Sequence, residues 1–100
     1  HIVQSWTDGT GWWKKYKSGW VEQGGYSSAG NGAAGITTVF YLPFANSTYT
    51  VETSKLGAGS PVINVVSRAN TSFNANCEGQ GGSGYYSGSA MSWYACGQGA

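Results

Sequence analysis

An antiparallel β-sandwich of seven or eight short strands, opening with a β-meander, is the all-β fold class that this sequence predicts. Three observations carry the expectation. Seventeen of the 100 residues are glycine and fifteen are aromatic, and the glycines gather with Ser, Asn and Asp between β-favouring runs, the pattern of strands joined by tight turns. Apolar and polar residues alternate in run after run, with no window showing the three- and four-residue spacing of an amphipathic helix. Glycine and β-branched residues, both weak helix formers, occur throughout.

Taken in order, Ile2 to Thr7 alternates, with Ile2, Gln4 and Trp6 on one side and Val3, Ser5 and Thr7 on the other, as a strand would. Asp8-Gly9-Thr10-Gly11 is the turn that follows, Asp-Gly being a strong local turn pair. Trp12 to Gly25 then reads as one hairpin turning at Ser18-Gly19, and it holds three of the five tryptophans and three of the four lysines. Two registers are open. A two-residue loop sets Lys15 opposite Glu22 and lays Trp13 and Trp12 beside Gly24 and Gly25, so that each indole covers a residue with no side chain. A loop that includes Lys17, with Gly19 as a bulge, pairs Tyr16 with Trp20 and Lys14 with Glu22. Either register gives a lysine-glutamate pair and an aromatic face.

Gly24 to Gly35 carries five glycines with Ser27, Ser28 and Asn31 and is expected to be a loop or a crossover between sheets. Ile36 to Leu42 resumes as a strand that Pro43 ends. Asn46-Ser47 turns the chain into a strand over Tyr49 to Thr53. Val62 to Ser67, apolar on both sides, is expected inside the sandwich. Thr71 to Cys77 and Ser89 to Gly97 are the last two strands, expected to pair as a hairpin around a long Gly/Ser loop.

That hairpin bears on the two cysteines. It would set Cys77 and Cys96 at opposite ends of a strand, roughly 20 Å apart at ~3.3 Å per residue, beyond the ~7 Å limit for a disulfide. Both are therefore read as free, small, buried hydrophobes.

Composition narrows the function classes. Only nine residues are charged and the net charge is +1, so no basic face exists for a phosphate backbone and nucleic acid is not an expected partner. No apolar run is long enough to span a membrane, and membrane insertion is not expected. Lys14, Lys15 and Lys17 are read as a solvated or edge-protecting run. The sequence begins at His1 rather than Met, as a fragment of a longer protein would. One hundred residues form a single domain, which buries only about 60 to 70% of its unfolded surface and gains from oligomerisation.

The chemical inventory is thin. His1 is the sole histidine, and the four acids, Asp8, Glu22, Glu52 and Glu78, are dispersed. No metal-ligand spacing and no G-x-S-x-G elbow occurs. Gly79 to Gly84 lacks the lysine of a phosphate cradle. No enzyme, no cofactor, no metal and no catalytic residue is therefore expected. The sites at Asn46 and Asn70 match the N-glycosylation pattern, a match common in a chain so rich in Asn, Ser and Thr. Among the aromatics, Trp6, Trp20, Phe40, Phe73 and Trp93 are assigned to structure. Tyr26, Tyr85 and Tyr86 differ, because they lie in or beside Gly/Ser/Asn-rich segments. Rigid rings among short polar side chains are the composition of binding loops. With Asn31, these three tyrosines form the candidate ligand-binding set.

The run Trp12 to Gly25 resembles the W-Y-R-K-Y-S-D-G-W-I-E-Q-G-G signature of the C-terminal domains of phage and prophage tail-fibre proteins. Phe40-Tyr41-Leu42-Pro43-Phe44 is similar to the F-P-x-x-F segment of those domains, Tyr49-Thr50-Val51 to their Y-x-V strand, and Ser92 to Gly97 to their closing W-x-A-x-G strand. Two positions depart from the pattern: Tyr41 stands in place of the first proline, and Cys96 in place of an aliphatic residue. The resemblance covers nearly the whole chain. It implies a receptor-binding domain over residues 1–100, similar in its second half to H-type lectin domains, at the distal tip of a homotrimeric fibre of the virion. Its partner would be a bacterial surface polysaccharide or an outer-membrane protein. A cap that registers the trimer without binding receptor, and a capsule-cleaving tip, are the alternatives. On this reading the tryptophan hairpin is structural and recognition lies in the Gly/Tyr loops.

Overall fold

The computed structural model describes residues 2–30, 32–57, 62–79, 84–85 and 88–100. Among these residues eight strands form two antiparallel sheets. The larger is ordered β1 (Ile2–Thr7), β2 (Gly11–Tyr16), β3 (Trp20–Gly30), β8 (Gly88–Gln98), β5 (Thr50–Lys55), and the smaller β4 (Ile36–Val39), β7 (Ser72–Glu78), β6 (Val62–Ala69). The predicted sandwich and its opening meander are both present.

Local chemistry sets the meander. The Asp8 carboxylate accepts hydrogen bonds from the amides of Thr10 and Gly11 at 2.9 and 2.8 Å, while Gly9 takes a φ of 87° that disfavours any side chain. The hairpin adopts the second of the two registers: Lys14 lies opposite Glu22 and Trp12 opposite Gly24. Its loop closes through the Gly19 amide on the Tyr16 carbonyl at 2.9 Å, with Gly19 at φ 91°. A three-residue loop ending in a left-handed glycine matches the strand twist.

Four expectations are corrected by long-range pairing. Residues 24–30 are strand rather than loop, because β3 continues beside β8 as far as Gly30 opposite Gly88. A 3₁₀ turn, Gly32–Ala34, then leads to the second sheet. β7 and β8 do not pair with each other; β8 lies between β3 and β5, and β7 between β4 and β6. Cys77 and Cys96 thus sit in different sheets as free thiols, Cys77 buried and Cys96 half-buried. β6 is an edge strand and not an interior one, which leaves Val62 and Val66 exposed. Trp6 and Trp20 are 39% and 41% exposed and lie outside the buried core that Phe40, Phe73 and Trp93 share.

That core fills the space between the sheets. Val21, Met91, Trp93 and Ala95 project from one sheet and Phe73, Ala75 and Cys77 from the other. Phe40 joins them, its ring centroid within 5.0 Å of Phe44 and Tyr49 and 5.6 Å of Phe73 and Trp93. Gln23 is fully buried among these rings. Its amide group donates to the Leu42 carbonyl at 2.8 Å and accepts from the Tyr41 and Leu42 amides at 2.9 and 3.1 Å, tying the 40–43 segment to β3.

Candidate functional site

Strand alternation sends Val21, Gln23, Met91 and Trp93 into the core, so their neighbours face outward. The outer face of the larger sheet therefore presents Trp12, Lys14 and Tyr16 from β2, Glu22, Gly24 and Tyr26 from β3, Ser92, Tyr94 and Cys96 from β8, and Glu52 and Ser54 from β5. The smaller sheet is finished differently. There Asn76 and Asn74 donate to the carbonyls of Ala33 and Ala34 at 3.2 and 3.4 Å, so the 3₁₀ turn lies over its outer side.

At the centre of the larger face the rings of Trp12 and Tyr94 meet across Gly24, with centroids 5.9 Å apart. Gly24 is required there. A Cβ would stand 2.6 Å from the Trp93 carbonyl oxygen and 2.9 Å from the Trp12 indole nitrogen. Beside the pair, the Glu22 carboxylate accepts from the Tyr16 hydroxyl at 2.6 Å and from the Tyr94 hydroxyl at 2.8 Å. These two donors, Tyr16 first, hold Glu22 below the usual carboxylate range, with the Lys14 charge adding to them. Burial, then the bond to Glu22, pushes the Tyr94 phenol up, and the bond to Glu22 raises Tyr16. The expected lysine-glutamate pair is thus one of register only: tyrosines ligate the carboxylate, and the Lys14 ammonium stands 5.7 Å from the Trp12 ring centroid.

Three depressions mark this face. An open one of about 610 Å³ lies along β1 and β2, lined by Ser5, Trp6, Thr7, Trp12, Trp13 and Lys14. The second, about 200 Å³, lies between the 7–11 turn and the side chains of Tyr26 and Ser92. The third, about 190 Å³, runs between Ser92 and Tyr94 of β8 and Glu52 and Ser54 of β5.

Of the predicted binding set, Tyr26 stands on this face, 65% exposed, at the second depression. Tyr85 is half exposed and bridges Glu78 at the end of β7, on the other sheet, so the structure does not bring these two together. Asn31 and Tyr86 lie outside the described residues. Sequence reasoning passed over Trp12, Tyr94, Ser92 and Thr7. The available signal was the alternation of Trp12, Lys14 and Tyr16 in the second register, which places all three on the side of Glu22.

Among the described residues no three of His, Cys, Asp or Glu gather as a metal site, and no helix is long and apolar enough to cross a membrane. Glu22, held ionised, lacks the raised pKa that the general acid of a glycosidase needs.

No family model and no curated protein matches the chain. Among solved structures, the chain is similar to a C-terminal fragment of the R2 pyocin fibre of P. aeruginosa, with a TM-score of 0.70 at 18% sequence identity. The match covers 96% of this chain and 26% of that one. The likeness is one of fold.

Proposed function

We propose that the chain is a receptor-binding domain of a phage-tail-type fibre, attaching the particle to a glycan or outer-membrane protein of a bacterial surface. The observation that carries this reading is the fold match, in which 96% of the chain follows a segment of a pyocin fibre. The outer face of the larger sheet, which no described residue covers, supports it, since aromatic plates flanked by hydroxyls and a fixed carboxylate suit a sugar surface. The domain acts without catalysis, as a homotrimer at the distal end of the fibre, each weak site strengthened by its copies. The test is competition: purified domain added to host cells reduces adsorption of the parent particle, and Tyr26→Ala weakens that competition. Tyr85→Ala asks whether the loop on the other sheet takes part.

A second reading, a cap that registers the trimer, is favoured by β1. All six of its residues are exposed, Ile2 and Val3 by 44% and 54%, and an open apolar edge invites a neighbouring chain. A trimer by light scattering that does not compete with adsorption supports the cap, whereas a stable monomer counts against both readings.

A further inference from the structure

We infer that the ligand of the outer face is an extended, uncharged polysaccharide lying across the strands, rather than a single terminal sugar. This rests on the receptor-binding reading above and concerns the shape and charge of what is bound.

The three depressions form one track. The first and second share Thr7 and Trp12, and the second and third share Ser92. The track runs from β1 to β5 through the sheet order β1-β2-β3-β8-β5, four inter-strand steps of ~4.8 Å, or about 19 Å in all. That span suits several linked sugar rings in succession, and one ring would leave most of it empty. The lining repeats along the track. Trp12, Tyr26 and Tyr94 offer flat apolar faces to sugar C–H groups, while Ser92 and Ser54 place hydroxyls that can donate and accept.

Charge settles the class. Among the described residues the three depressions are lined by one cation, Lys14, and one carboxylate, Glu52, and beside them each oxygen of Glu22 already accepts one hydroxyl, from Tyr16 and from Tyr94. A polyanionic capsule chain would find the one ammonium balanced by the one carboxylate, with Glu22 close by, and so no net attraction along the track. An uncharged chain needs none.

The experiment uses the full chain and immobilised fragments of neutral bacterial O-polysaccharides, one to four repeating units long, with acidic capsule fragments of matched length beside them. Affinity for a neutral fragment is expected to rise at least tenfold from one unit to four. Ser5→Leu and Ser54→Leu, exposed substitutions at the two ends of the track, are expected to lower affinity for the four-unit fragment at least fivefold and leave the one-unit fragment within twofold. Ser54→Gln repeats the test with a bulky polar side chain. Tyr26→Ala is expected to weaken both lengths. Affinity independent of length, or tighter binding of acidic fragments, overturns this inference and leaves the receptor reading standing. If no fragment binds, this inference falls; the receptor reading falls with it only if the domain also fails to compete for adsorption. If the end substitutions change the oligomeric state by light scattering, the face is a contact between copies and the inference is overturned.

Discussion

Gln23 shows how much one polar residue can hold. Its side chain satisfies three backbone groups of the 40–43 segment from a position with no solvent exposure. Gln23→Leu fills the same volume but strands the Tyr41 and Leu42 amides and the Leu42 carbonyl, each at about 1 to 3 kcal/mol when left without a partner. The expected loss is about 3 kcal/mol or more, read as a lower midpoint in urea with the slope unchanged. The bond from the Tyr41 amide gives this position a role that proline could not fill. A proline has no amide hydrogen, so the tyrosine found at this position adds a donor to Gln23 that proline would lack. Glu22 gives a pH dependence. Its folded pKa is depressed below the ordinary 4.5, so its contribution to stability is complete above that value and is lost as pH falls through the folded pKa. Glu22→Gln is expected to flatten the acid limb of stability below about pH 4.5, followed by thermal unfolding at pH 7 and at pH 3.

At the scale of elements, legibility follows the range of the interactions. The Asp8-Gly9 turn and the glycine bulge at Gly19 are written locally, in a carboxylate that bonds two amides nearby and a residue free to take positive φ. The alternation of β1, β2 and β8 was equally readable. Residues 24–30 were not, because Gly24, Gly25, Ser27, Ser28 and Gly30 carry a loop composition and owe their extended state to partners 58 to 70 residues away along the chain on β8. The two cysteines are free as expected, but the same non-locality hid the reason, their placement in different sheets, and the edge position of β6. It hid the candidate site as well, since Tyr94 meets Trp12 and Glu22 only once β8 docks beside β3. This gives an element-scale expectation. Amide exchange across 24–30 is slow, at the level of Val21, where a loop would exchange at near-unprotected rates; β1, an edge strand with every residue exposed, exchanges faster than β3.

Over the whole molecule, burial is concentrated at one end of an elongated body measuring 45 × 26 × 16 Å. The smaller sheet packs on β3, β8 and β5, and β1 and β2 extend as a wing. Tyr41 braces that wing, with its ring 5.1 Å from Trp6 and 6.2 Å from Trp93. Two aromatic truncations should therefore differ sharply. Phe40 touches four rings that come from both sheets and their connections, and is 7% exposed, so Phe40→Ala opens a cavity where the sheets meet and costs about 3 to 5 kcal/mol. Against a total of roughly 5 to 15 kcal/mol for a domain, that is a large share, and at ~4 to 8 °C per kcal/mol the melting temperature falls by roughly 12 °C or more. Trp6 is 39% exposed and meets one ring at the wing, so Trp6→Ala is expected to cost about 1 kcal/mol and to loosen the meander alone. Calorimetry of the two variants, with near-ultraviolet dichroism to follow the rings, separates these outcomes. Equal losses would mean that the wing is as integral to cooperative folding as the sandwich. Unequal losses would place the proposed binding face across a boundary, with Ser92 and Tyr94 standing on the Trp93 core and Ser5 and Thr7 on a wing that can yield to a long ligand.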